Sequence, residues 1–390
     1  MKKIKMIFSA LILLFSSYLF ANDFPSIEPS VTINFTEENF SPEQLFLTAM
    51  EFSLCSQNDE LGKTIITKYK EMEKVVKSTE FTKLPEIERG EKVLKYIHDE
   101  LLKKYEEGTA SMTVTFSTGS YNCVTSSILF LCLAKAAGLN VKGQKTNIHA
   151  LCSVYINDKK IDVETTNYYG FNPGERKTIE KTENSHRYTY VPKKYYAGRK
   201  EISDKAFVTL TGKNIVSELN DTNEYNVAIP LAASRLDFLK TENQKEILDV
   251  RADFDTVVTN YAINLTKQNK TLEAIDFLEQ VENRWGSSGA ISKTYFNAVY
   301  NTVVNYLNSG DVANAKKIYE QKKNNIQNGN ASKILKNINR FVEVEYHNKF
   351  ADAINSKNLE QAKEVLEEAL KELPNSQVLK KDLNYLNSIK

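Results

Sequence analysis

Tyr121-Asn122-Cys123-Val124-Thr125-Ser126-Ser127-Ile128-Leu129-Phe130 is where a polar, turn-prone run (Ser117, Thr118, Gly119, Ser120, Asn122) gives way to apolar residues extending to Leu139. The apolar run is rich in Leu and Ala, carries one charge, Lys135, and stops at Gly138. That pattern predicts a buried helix with Gly138 near its C-terminal cap. Cys123 then lies in or beside the first turn. Unpaired backbone N–H groups and the positive end of the helix dipole stabilise a thiolate there.

The next informative stretch runs from His149 to Thr166. His149-Ala150-Leu151-Cys152-Ser153-Val154-Tyr155-Ile156 and Ile161-Asp162-Val163-Glu164-Thr165-Thr166 flank Asn157-Asp158-Lys159-Lys160. Two β-prone runs around an Asn-Asp turn predict a hairpin. Side chains alternate on a strand, so Asp162 and Glu164 share one face and His149 can reach toward either. A cysteine at a helix start, a histidine on a strand and a carboxylate on the next strand form a nucleophile–base–orienter set. Taken singly, each of the three has an ordinary structural reading, a buried thiol, a satisfied imidazole or a solvated strand-end charge. Order, spacing and context together point to chemistry.

At these residues, "YNCVTSS" through Leu129-Phe130, "HA" before Cys152-Ser153-Val154-Tyr155, and "IDVETTN", the chain resembles the bacterial transglutaminase-like superfamily, relatives of papain-type cysteine enzymes. The resemblance covers roughly residues 85–200. It implies an α+β papain-like domain with Cys123 as nucleophile and His149 as base. The family's third member is usually Asp with a Thr two positions later. Glu164, followed by Thr166, fits that slot better, and Asp162 is the alternative. The resemblance implies no cofactor, and the sequence shows no metal-ligand spacing: there is no CxxC, and the four histidines are scattered.

Ahead of this region, Met1 to Ala21 carries Lys2, Lys3 and Lys5, then an apolar run to Phe20, and reads as a signal peptide cleaved after Ala21. The expected product is an exported, periplasmic or secreted bacterial protein with no stable membrane span after cleavage. Removal of these residues takes the formal charge from +1 to −2, a balance that gives no reason to expect nucleic-acid binding. Export permits disulfides, yet a nucleophilic Cys123 leaves an odd number of partners among the four cysteines. No disulfide network is expected.

Helices are expected from Pro42, over Lys63 to Thr79, and from Leu84-Pro85 to about Tyr105, with a short strand at Met112 to Phe116 leading to Cys123. Residues 167–204 are aromatic and basic (Tyr168, Tyr188, Tyr190, Tyr195, Tyr196 among Lys and Arg), a wall or lid beside the site or a covering loop. From about Glu201 the chain reads as helical and repeated. Ala228, Ala274, Ala315 and Ala362 recur at intervals of 41 to 47 residues on packed faces, each after a polar turn. This part resembles degenerate tetratricopeptide repeats, all-α stacked helix pairs. The expected organisation is a signal peptide (1–21), a transglutaminase-like domain with N-terminal helices (22–200) and helical repeats (201–390). Two functions fit. One is a cysteine hydrolase or amide transferase acting on a peptide or protein substrate. The other is a non-catalytic scaffold whose repeats dock a protein partner.

Overall fold

The computed structural model describes residues 24–173 and 196–389. The expected signal peptide, and Tyr188, Tyr190 and Tyr195 of the aromatic stretch, lie outside the described residues. The chain is a mixed α+β protein, predominantly helical. Its contacts divide it into two compact units, one up to Val257 and one from Val258 onward.

In chain order, the first unit contains α1 (Pro42–Glu51), α2 (Glu60–Val76), α3 (Thr79–Thr82), α4 (Glu86–Glu100), β1 (Lys104–Tyr105), α5 (Met112–Thr118), β2 (Ser120–Tyr121), α6 (Cys123–Ala136), β3 (Val141–Lys145), β4 (Ala150–Ile156), β5 (Lys159–Val163), β6 (Lys200–Ile202), α7 (Asp204–Val208), α8 (Leu210–Asp221) and α9 (Tyr225–Phe238). The helix α10 (Gln244–Lys267) follows, and the division between units falls within it.

Local sequence explains most of these boundaries. Ser41 caps α1 in a reciprocal capping box with Gln44, and Pro42 opens the helix where its missing N–H costs nothing. The helix α6 is apolar all round and buried from Val124 to Ala134, as a helix surrounded by other elements must be. It packs against α1, α2, α4, β3, β4 and α8. Gly138 follows it at φ +82°, the left-handed value that ends a helix most cheaply with glycine.

The strands β5-β4-β3-β6 form one antiparallel sheet. Asn157 and Asp158 link β4 to β5 with positive φ at both positions (48° and 63°), the geometry that matches the twist of a two-residue hairpin. In this register Ser153 faces Asp162 and Cys152 faces Val163. The strands β1 and β2 form a separate parallel pair.

Met112 to Phe116 corrects the sequence reading. The alternation Met-Thr-Val-Thr-Phe suggests a strand, but the segment is the helix α5. Ser111 caps it by accepting the N–H of Thr113, and Gly119 closes it at φ 75°. Two caps with seven residues between them override a weak β pattern. Similarly, α4 stops at Glu100, short of Tyr105, and Lys104–Tyr105 is strand.

The helices α7 to α9, which the sequence reading groups with the repeats, pack inside the first unit: α7 on α1 and β3, α8 on α1 and α6, α9 on α8. Ser234 of α9 accepts both the Ser30 and Val31 N–H groups through its hydroxyl oxygen (2.9 Å each), tying the N-terminal lead-in to that helix. Ala228 is fully buried here.

The second unit continues with α11 (Thr271–Trp285), α12 (Gly289–Asn308), α13 (Val312–Lys322), α14 (Asn328–Asn355), α15 (Leu359–Glu372) and α16 (Gln377–Ser388). Each helix packs against the next, and Ala274, Ala315 and Ala362 are fully buried. No helix among the described residues is long and apolar enough to cross a membrane.

Candidate active site

The site begins at the N-terminus of α6. Asn122 is its N-cap, 3% exposed, and its side-chain oxygen accepts the N–H groups of Val124 (2.9 Å) and Thr125 (3.0 Å). The Thr125 hydroxyl accepts the Asn122 N–H in return, and the Asn122 amide donates to the Glu107 carbonyl. The Ser126 N–H reaches the Asn122 carbonyl. Of the four amides that open the helix, only that of Cys123 has no partner among the described residues.

Cys123 is half-buried and stands near enough to His149 to raise the pKa of its ring. His149 immediately precedes β4, and its Nε2–H donates to Glu164 Oε2 at 2.8 Å, since an ionised carboxylate can only accept. Burial alone would lower the His149 pKa. The neighbouring Cys123 side chain, the hydrogen bond to Glu164 and the carboxylate charge outweigh it and push the value up to about 10.

Glu164 follows β5 and is 1% exposed. Its Oε1 accepts the Thr166 hydroxyl at 2.6 Å and the Thr166 N–H at 3.3 Å. Its Oε2 accepts from Tyr196 at 2.9 Å as well as from His149. The Glu164 N–H donates to the Gly170 carbonyl at 2.8 Å, and a Cβ on Gly170 would stand 1.9 Å from the Glu164 carbonyl oxygen. Only glycine allows that approach without displacing the backbone that carries Glu164.

Asp162 lies on the same strand face, opposite Ser153, but is held elsewhere. Ser153 donates to its Oδ1 (3.1 Å) and the Arg199 guanidinium pairs with its Oδ2. Of the sequence-derived candidates, Cys123, His149 and Glu164 come together, and Asp162 joins an ion pair instead.

The remaining cysteines lie in the core. Cys55, Cys132 and Cys152 are buried, and all four thiols are free. Burial raises the thiol pKa of each of the three. The Cys152 thiol donates to the Ser127 carbonyl and helps join β4 to α6.

Cys123 and His149 both line an open cleft of about 1340 Å3. Its walls include Tyr105, Tyr121, His98 and Tyr168, whose rings meet edge-on in that order. His98 is buried and donates through Nε2 to the Thr165 carbonyl (3.0 Å), between Glu164 and Thr166. The Tyr121 hydroxyl donates to the Thr166 carbonyl, and its pKa is pushed up to about 12 by burial and by the Glu164 charge. Among the described residues no group of three His, Cys, Asp or Glu side chains is placed to hold a metal ion.

Sequence reasoning names Tyr196 only as part of an aromatic stretch and does not single out Arg199. Both reach the site from more than thirty residues downstream of the carboxylates they contact, and no local spacing marks such a return. The capping role of Asn122 was within reach, because Asn before a helical run is a cap signal. Compared with known proteins, the chain matches no family model, no curated protein and no solved structure.

Proposed function

We propose that the protein is an exported cysteine enzyme of the transglutaminase-like class, acting on peptide or other amide bonds. The observation that carries this reading is that Cys123 and His149 line one open cleft while the buried Glu164 holds His149 from behind, in the sequence order and with the Thr166 context that the family resemblance implies. A cleft of about 1340 Å3 exceeds what one small ligand fills and suits an extended chain.

In the proposed reaction His149 already holds the proton taken from Cys123, as its raised pKa favours, and the sulfur adds to the amide carbonyl carbon. The carbonyl electron pair moves to oxygen, where the unpaired Cys123 N–H can receive it. Collapse breaks the C–N bond, His149 protonates the departing amine, and a thioester remains. Water, giving its proton to His149, attacks the thioester, releases the acid and restores the thiol. An amine in place of water would give transfer; abundant water makes hydrolysis the default. Glu164 keeps the imidazole oriented and stabilises its charged form.

The test is the rate of Cys123 alkylation by iodoacetamide, read by peptide mass spectrometry to separate it from the buried thiols. His149→Ala and Glu164→Gln should slow it about tenfold or more, whereas Asp162→Asn should change it less than about twofold. If Asp162→Asn abolishes reactivity and Glu164→Gln does not, the third residue is misassigned. If none of the three substitutions alters the rate, there is no triad, and the partner-binding reading takes its place.

A further inference from the structure

A glutamate has three rotatable side-chain bonds, and His149 by itself cannot fix the Glu164 carboxylate, because His149 must change its own charge during the proposed reaction. The two donors that keep their protons throughout are Thr166 on Oε1 and Tyr196 on Oε2. Tyr196 also stands edge-on to the imidazole, with centroids 6.1 Å apart at 88°. Three residues later, Arg199 takes Asp162, the second carboxylate on the same strand face. Gly198, between them, lines the cleft.

From this arrangement we infer that Tyr196 and Arg199 act as positioning residues that assign the two carboxylates: the Tyr196 hydroxyl holds Glu164 against His149, and Arg199 holds Asp162 away from it. The inference rests on the Cys123–His149–Glu164 reading above and explains how one imidazole acquires a single acid partner where the strand offers two. Without the Tyr196 hydroxyl, Oε2 keeps only the His149 bond and the carboxylate gains freedom about its long side chain. Without Arg199, Asp162 becomes an unneutralised charge on the face that carries Glu164 and draws on the imidazolium.

Among the described residues the groups facing His149 include Cys123, Glu164 and Tyr196; those whose charges act on or are felt from Glu164 include His149, Tyr121 and Cys152. None but Tyr196 is altered by Tyr196→Phe, which keeps the ring and removes one hydroxyl. The experiment uses the full chain and two probes. Iodoacetamide is neutral and reports thiolate reactivity. Iodoacetate is an anion drawn by the imidazolium, so its rate falls on the alkaline side when His149 loses its proton.

Tyr196→Phe should slow iodoacetamide about threefold to tenfold and move the alkaline limb of the iodoacetate profile down by about half a pH unit or more, with the circular dichroism spectrum unchanged. Arg199→Gln should slow alkylation, and Asp162→Asn added to it should restore the parent rate. A limb that stays in place or moves up in Tyr196→Phe overturns the role of Tyr196, whatever the rate does. Failure of Asp162→Asn to rescue Arg199→Gln overturns the role of Arg199. A parent profile unaffected by His149→Ala sinks the enzyme reading itself, and this inference with it.

Discussion

Glu164 hydrogen-bonds His149 and Asp162 does not, and each carboxylate is held by one partner near it in sequence and one distant from it. Both carboxylates lie on one face, but Thr166 and Tyr196 hold the first while Ser153 and Arg199 hold the second. The charged form of His149 is the consequence to measure. Its pKa is raised, so protonation favours the folded chain. That contribution is complete below the unfolded value of about 6.5 and is lost as pH rises through about 10. Between those limits the folded state binds the extra proton, and stability falls with pH. A Cys123→Ser chain leaves the His149–Glu164 pair without a thiol to share the proton count. Its urea unfolding free energy should decline from about pH 7 upward, by at most about 1.4 kcal/mol per pH unit from this group. Its His149 ring should titrate above 6.5 by NMR. A ring that titrates at or below the unperturbed value would contradict the buried ion pair. That Cys123 and His149 line one cleft and that Glu164, with Thr166, binds His149 could be read from local phrases of the sequence. Tyr196 and Arg199 could not be, because tertiary return of a strand leaves no periodic mark in the sequence.

At the scale of the element, the start of α6 is held by one cap. Asn122 satisfies the Val124 and Thr125 amides and anchors to Glu107, while Cys123 lines the cleft. Asn122→Ala removes all three side-chain bonds. The expected loss is about 1–2 kcal/mol in chemical denaturation, together with slower alkylation of Cys123 as the first turn frays. Unchanged stability would mean that other contacts of the buried helix fix its first turn. This helix and the β4–β5 hairpin were readable because their signals agree: an uninterrupted apolar run ending at Gly138, and two β-prone runs about Asn157-Asp158. Met112 to Phe116 was not, since a five-residue alternation of β-branched and large residues carries no information on its caps. There Ser111 and Gly119 decide the conformation.

On the scale of the whole chain, the sequence separates 22–200 from 201–390, where helical repetition begins, while the contacts separate the units at Val257/Val258. The discrepancy has a physical origin. Amphipathic helices that cover a sheet and helices that stack in series share the same period, so the pattern after Glu201 cannot tell which core each helix serves. The buried contacts can. Gly143 on β3 lies so close to the Phe207 ring that a Cβ there would be 2.2 Å from it. Lys135 of α6 pairs with Asp204 at 2.8 Å, and Ser203 gives both its N–H and its hydroxyl to Glu246 at 2.8 Å. Arg235, 2% exposed, pairs with Asp253 at 3.0 Å, and Lys213 binds the same carboxylate at 2.8 Å. A chain cut at residue 200 loses Phe207, which packs on Gly143 of β3, the buried Val208, and all but the first residue of β6, which pairs with β3. Burying two such side chains contributes about 3–6 kcal/mol by area, a large part of a domain's net stability. The fragment 24–200 should therefore fail to fold cooperatively. The fragment 24–267, which keeps α10 whole, should unfold in one transition and alkylate Cys123 at the parent rate. Equal reactivity and cooperativity in the shorter fragment would show that the helices after residue 204 are dispensable to the core that carries the site.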